Sequence, residues 1–109
     1  MSKKLINDFD SAMRNVYDAG LKLNPPYRAK KFLEMLNKSG GKETADYLLS
    51  TKMPSEGFAE LYLRGEKGLK ISLEYLVLTK PWSGLFTEAQ LAVAKKRLTD
   101  LNCPDIPST

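Results

Sequence analysis

Glu74 is the residue in this chain with the clearest potential for acid-base chemistry. It lies within the otherwise apolar segment SLEYLVL, where a buried carboxylate would be able to act as a general acid or base. The structural alternative is that Glu74 occupies the first turn of a helix begun by Ser72, where negative charge is favourable. We favour the structural alternative because no second carboxylate is spaced to share one helix face with Glu74.

Three further side chains, Ser55, Ser72 and Cys103, are nucleophiles by type. The chain contains no histidine to activate a serine and only one cysteine, so the usual catalytic triads and tetrahedral zinc sites are excluded. We interpret both serines as helix N-caps and Cys103 as an unreactive thiol that cannot form an internal disulfide. The sequence therefore predicts a protein that is not an enzyme and that uses no metal and no cofactor.

Two adjacent glycines, Gly40 and Gly41, stand before Lys42 at the expected start of a helix. Backbone amides at such a position can bind phosphate, with the lysine assisting. The pair also faintly resembles the helix-hairpin-helix element that binds the DNA backbone, but that element usually has a hydrophobic residue between its glycines. A tight turn between two helices explains both glycines, and we favour it.

The basic residues are concentrated at the start of the chain. The formal net charge is +4, and residues 1–40 carry eight Lys and Arg against four Asp and Glu, whereas the rest of the chain is balanced. Such a cluster is typical of nucleic-acid contact, but we favour the alternative of a solvated helix face, because four cations between 22 and 31 are few for a nucleic-acid-binding protein. The candidate contacts to nucleic acid or another anion are Lys22, Arg28, Lys30, Lys31, Lys38 and Lys42.

The elements that position these residues are predicted to be helices. Apolar residues at helical spacing predict a first helix from Lys3 to Ala19, ended by Gly20. Asn24 is predicted to cap a second helix with prolines in its first turn. After the two glycines, a third short helix is expected from Lys42 to Leu49.

The second half of the chain has stronger helix signals. Ser55 is predicted to cap a helix over 56–63, Gly65 and Gly68 to bracket a turn, and Ser72 to cap a helix over 73–78. A strand over 69–78 remains the alternative for that last segment. Thr87 and Gln90 match the capping box of a final helix, on which residues 95–97, Lys-Lys-Arg, are expected to cover the outer face.

These signals predict an all-α fold, a single compact domain of five to six mostly short helices. The domain is expected to cover residues 1–103, followed by a C-terminal tail over 104–109 that begins at a proline. Trp82 is expected in a loop, either as a protein contact or, as we favour, as a plug for one end of the core.

Many of the landmark residues resemble those of a recurrent small helical module of bacterial proteins. The resemblance covers roughly residues 27–98, and its landmarks are mostly glycines, prolines, caps and large apolar residues. They are Tyr27-Arg28-Ala29 with Phe32, Gly40-Gly41 with Thr44-Ala45 and Leu48-Leu49, Pro54 to Phe58 with Leu61, Leu69, Ser72 to Glu74 with Val77-Leu78, and Trp82, Leu85 to Thr87 and Ala94 to Leu98. The module is uncharacterised, so the resemblance implies a helical fold and no particular chemistry.

By elimination, the sequence predicts a non-enzymatic module that works through a protein partner or homo-oligomer. The alternative is an accessory nucleic-acid-binding protein that uses the basic residues between 22 and 42. No apolar run approaches the roughly 18–20 residues of a membrane span, and charged residues interrupt any signal-peptide pattern near the first residues. We therefore expect a bacterial, cytoplasmic protein with no membrane contact.

Overall fold

The computed structural model describes residues 3–107, and this part of the chain is all-α, without strands. Its elements are α1 (Lys3–Leu21), α2 (Lys30–Ser50), α3 (Glu56–Leu63), α4 (Glu66–Lys70), α5 (Leu73–Val77), a 3₁₀ helix (Trp82–Leu85) and α6 (Glu88–Asp100). The predicted fold class is thus confirmed, and the strand alternative for 69–78 is wrong. The expected domain and tail also include residues 1–2 and 108–109, which lie outside the described residues.

Three of the four N-caps expected from the sequence are confirmed, those at Ser55, Ser72 and Thr87. Ser55 accepts the amide of Phe58 at 3.1 Å, and Ser72 accepts the amide of Tyr75 at 3.2 Å. Thr87 forms a complete capping box, in which its hydroxyl accepts the Gln90 amide and the Gln90 side chain accepts the Thr87 amide. These local side-chain bonds satisfy amides that a helix leaves unpaired at its start.

The predicted start of the second helix at Asn24 is wrong, because α2 begins at Lys30. A residue before proline is disfavoured in the helical region, and two consecutive prolines follow Asn24. The segment 22–29 is instead held as a loop by distant residues. Arg64 donates to the carbonyl oxygens of Pro25 at 2.6 Å and Pro26 at 3.2 Å, and Tyr27 donates its amide to the Gly20 carbonyl at 2.8 Å.

The glycine pair interrupts α2 without separating it into two distant helices. Gly40 has φ +81° and ψ 169°, outside the helical region, and a glycine adopts such a backbone without steric penalty. Gly41 then donates its amide to the Asp10 carboxylate at 2.8 Å. A Cβ on Gly41 would lie 2.8 Å from the Asp10 Cα, so this glycine allows α1 and α2 to approach closely.

The break at Gly40 leaves one buried hydroxyl unsatisfied. Within the described residues, the Thr44 hydroxyl is buried and has no hydrogen-bond partner. Threonine inside a helix usually donates to the carbonyl four residues earlier, which here belongs to Gly40. Because Gly40 leaves the helical conformation, that bond is not formed.

The turn predicted between Gly65 and Gly68 is wrong, since α4 occupies Glu66–Lys70. Its charges are placed favourably, with Glu66 in the first turn and Lys70 in the last, 2.9 Å apart as an ion pair. A helix of five residues is too short to show a helical spacing of apolar residues, so the two glycines were the only local signal and they favoured a turn.

The helices pack largely in sequential pairs, α1 on α2, α3 on α4 and α5 on α6. Phe9 and Met13 of α1 are buried at the centre. Trp82 packs against the Phe9 ring in a tilted arrangement and Phe86 packs edge-on, with ring centroids 5.7 and 5.4 Å from that of Phe9. The chain after α6 also lies on this body, since the Tyr75 hydroxyl donates to the Asp105 carbonyl at 3.0 Å.

Candidate functional site

One concave feature is an apolar cavity of about 420 Å³, which we call the main cavity. This volume is within the range of natural small-molecule sites. It lies between α1, the 22–29 loop, the start of α2, α3 and α5. Its apolar walls are formed by Val16, Ala29, Phe32, Met35, Leu48, Phe58, Leu61 and Leu73.

The mouth of the main cavity carries a positive charge. Arg28, Lys30 and Lys31 line it, are exposed, and form no ion pair with any residue between 3 and 107. Glu56 is the exposed acidic residue of the lining. Three of the six basic residues selected from the sequence are therefore brought together at one opening.

The other three selected cations lie elsewhere. Lys22 and Lys38 are exposed but do not line the main cavity. Lys42 already has partners, because its ammonium lies 2.8 Å from the Asp46 carboxylate and 4.9 Å from the centroid of the Phe86 ring. The Gly41 amide is likewise taken by Asp10. The phosphate site considered at Gly40-Gly41-Lys42 thus has both of its donors already engaged.

Backbone amides add to the positive potential at the mouth. The N-terminus of α2 has no side-chain cap and no acidic residue in its first turn. Lys30 donates its amide to the Arg28 carbonyl and Leu33 donates to the Ala29 carbonyl, which leaves the Lys31 and Phe32 amides without a partner in the described chain. A helix N-terminus of this kind favours an anion.

The wall beside the mouth is held in place by Arg64. The Arg64 side chain is only 9% exposed, pairs with Glu60 at 3.0 Å, and stacks over the Tyr27 ring at 5.3 Å. The same guanidinium binds the two proline carbonyls of the loop. Burial raises the pKa of the Tyr27 hydroxyl, and the nearby carboxylates of Glu60 and Glu56 add to the increase.

Glu74 lies at the inner end of the main cavity and is 1% exposed. It is in the first turn of α5, as the structural alternative proposed, but it also forms a buried ion pair with Arg97 at 3.1 Å. Burial raises the pKa of the Glu74 carboxyl above its usual value, while its own backbone amide and the Arg97 charge oppose that increase.

The expectation that Arg97 covers the outer face is wrong, because its side chain is 7% exposed and points inward. Its guanidinium also donates to the carbonyls of Leu48 at 2.9 Å and Thr51 at 2.8 Å. Arg97 thus joins the end of α2, the start of α5 and the body of α6. No local sequence signal separates it from its neighbours Lys95 and Lys96, which are exposed.

A second concave surface lies between the α2–α3 loop, α3 and α6, and we call it the outer groove. It has a volume of about 730 Å³. Met53 and Tyr62 line it and are 74% and 46% exposed, and Leu63 beside Tyr62 is 73% exposed. Ala59, Tyr62 and Leu63 are spaced to share one face of α3, so apolar residues continue from the groove onto the surface.

The remaining candidates are Trp82 and Cys103, which lie outside both concave surfaces. Trp82, considered as a protein contact, is half-buried against Phe9 and the core and lines neither concave surface. Cys103 is buried, and this burial raises the pKa of its thiol, which lowers the fraction of reactive thiolate at neutral pH.

Two classes of feature are not found between residues 3 and 107. No group of three or more His, Cys, Asp and Glu side chains is arranged to hold a metal ion. None of the helices in this range combines the length and the apolar character needed to cross a bilayer.

Comparisons with other proteins add no assignment. They do not support the bacterial origin expected from the resemblance to a bacterial module. The chain matches no protein-family model, no curated protein and no solved structure.

Proposed function

We propose that this protein is a non-enzymatic, cytoplasmic interaction module that associates with a second copy of itself through the outer groove. The observation that supports the proposal is the exposure of large apolar side chains around that groove, with Met53 and Leu63 each more than two-thirds exposed. Exposed apolar residues that are clustered rather than scattered are characteristic of interaction surfaces.

Self-association is favoured over another partner because the same surface carries both protruding apolar side chains and a groove that could receive them. The protruding side chains of Met53 and Leu63 stand beside a concavity with apolar walls formed in part by Val93 and Leu101. In a twofold dimer the same patch faces itself, so the protrusions of one copy enter the groove of the other. A stable contact of this kind buries about 800 Å² per partner.

Sedimentation velocity over a range of concentrations tests this proposal. We expect a monomer–dimer equilibrium for the wild type and a monomer for Met53→Glu or Leu63→Glu, because each change removes apolar area from the contact and adds a charge that the contact must desolvate. Tyr47→Glu is the matched control, since Tyr47 is 59% exposed but does not line the groove. A wild type that remains monomeric up to about 200 μM contradicts self-association.

Nucleic-acid binding is the second candidate, favoured by five neighbouring exposed cations, each of which has no ion pair among the described residues. They are Lys22, Arg28, Lys30, Lys31 and Lys38. If all five contact phosphates, affinity for generic double-stranded DNA falls roughly 500-fold between about 50 and 200 mM salt. The double variant Lys30→Glu with Lys31→Glu should abolish this binding. Absence of binding at the lower salt concentration excludes the candidate.

A further inference from the structure

We infer that the main cavity is a binding site for a single-chain anionic amphiphile, with its apolar chain inside and its carboxylate or phosphate group at the mouth. This is a small-molecule site, separate from the self-association surface. It rests on three independent observations: the shape and lining of the cavity, the charges at its opening, and the free amides at the start of α2.

The interior selects an apolar group. Its walls come from aliphatic and aromatic side chains of four helices and one loop, including Phe32, Met35 and Phe58. The volume of about 420 Å³ is sufficient for a small ligand but not for a protein helix with its side chains. An apolar chain that enters this space removes its surface from water, which is the main source of affinity in such sites.

The mouth selects an anion. Arg28, Lys30 and Lys31 are unpaired within the described part of the chain, and the Lys31 and Phe32 amides lack acceptors there. Glu56 offsets one of the three positive charges, so the opening keeps a net positive charge. Charge-assisted hydrogen bonds from these donors are stronger than neutral ones.

The inner end of the cavity sets the orientation of the ligand. Glu74 lies there with its carboxylate on Arg97, and both terminal nitrogens of the Arg97 guanidinium already donate to Glu74, Leu48 or Thr51. An anionic group placed at this end would meet a carboxylate and find no free cation. The head group therefore stays at the mouth and the chain points toward α5.

The experiment measures binding of decyl phosphate and decanoate by isothermal titration calorimetry, below their micelle concentrations. Decan-1-ol and decyltrimethylammonium are the neutral and cationic comparison probes. We expect one molecule of each anion per chain and at least about tenfold weaker binding of the alcohol and the cation, the size of one lost charge-assisted bond. Vesicles of phosphatidylglycerol form a separate arm that tests a membrane head group as the source of the anion.

Variants separate the two parts of the site. Lys31→Glu should weaken decyl phosphate binding at least about tenfold, whereas the matched change Lys38→Glu should not, because Lys38 is exposed but lies off the cavity. Val16→Phe fills the apolar interior and should abolish binding while leaving every mouth charge in place. Circular dichroism of each variant checks that the fold is retained.

Four results overturn the inference. They are no anion binding up to about 1 mM, equal affinity for the anions and the alcohol, equal losses for Lys31→Glu and Lys38→Glu, and vesicle binding without any binding of free decyl phosphate. None of them bears on dimer formation, which sedimentation of the Met53 and Leu63 variants tests separately.

Discussion

The buried ion pair of Glu74 and Arg97 leads to the largest stability effect that we expect for a single substitution. Arg97→Met removes the charge that faces Glu74, together with the hydrogen bonds to the Leu48 and Thr51 carbonyls. Glu74 is only 1% exposed, so water cannot replace the lost partner. Breaking such a pair from one side costs about 3–5 kcal/mol of unfolding free energy.

The double change Glu74→Leu with Arg97→Met behaves differently, because it removes both buried charges at once. Replacing a whole buried pair by apolar residues of similar volume is often close to neutral. We therefore expect the double variant to recover at least about 2 kcal/mol relative to Arg97→Met alone, which is a strong favourable coupling in a double-mutant cycle.

Urea denaturation followed by circular dichroism measures these differences, and trimethylamine N-oxide extends the range for a variant that is only partly folded. The control is Lys96→Met, since Lys96 is the exposed neighbour of Arg97 and pairs only with Asp100 at the surface. A loss of less than about 1 kcal/mol in Arg97→Met, or additive losses in the double variant, would refute the assigned role of the pair.

Three further predictions concern single positions. Thr44→Val should raise the unfolding free energy by about 1 kcal/mol in urea titrations, because it removes a buried hydroxyl without a partner; a loss of stability would show that the hydroxyl is satisfied. Gly41→Ala should lower the unfolding free energy by about 1–3 kcal/mol, because its Cβ would lie 2.8 Å from the Asp10 Cα. The control is Gly84→Ala, whose Cβ would have no atom within 4 Å, and its unfolding free energy should stay within about 0.5 kcal/mol of the wild type. Finally, the wild type should gain stability relative to Glu74→Gln as the pH falls from neutral toward the unfolded-state pKa of 4.5, since the raised pKa of Glu74 lets the folded state take up its proton first. A difference that is constant with pH would contradict that direction.

The sequence predicts best those parts of the fold that local interactions determine. The caps at Ser55, Ser72 and Thr87 require only residues three positions away, so the starts of three helices were correctly placed. The start of α2 was misplaced because Arg64, 39 residues from Pro25, holds the preceding loop. The same reason explains why the role of Arg97 was missed, since its partners belong to other helices.

The candidate site was likewise predictable only in the part that depends on residues close together in sequence. The excess of cations around residues 22–31 is visible in the sequence, and three of them do meet at one opening. The cavity behind them is formed by residues from α1, α2, α3 and α5, whose relative positions no local pattern contains. The apolar spacing of Phe32, Met35 and Leu48 predicts burial but does not distinguish a filled core from the wall of a cavity.

The sequential pairing of the helices has a consequence for how fast the chain folds. Since α1 packs on α2, α3 on α4 and α5 on α6, most contacts join residues that are near in sequence, and topologies of this kind fold within microseconds to milliseconds. The Arg97 bonds to Leu48 and Thr51 span 49 and 46 residues, so we expect them to form after the helix pairs have assembled. Arg97→Met should accordingly accelerate unfolding far more than it slows folding. Arg97 would then determine how long each molecule stays folded, with little influence on how quickly the molecule folds.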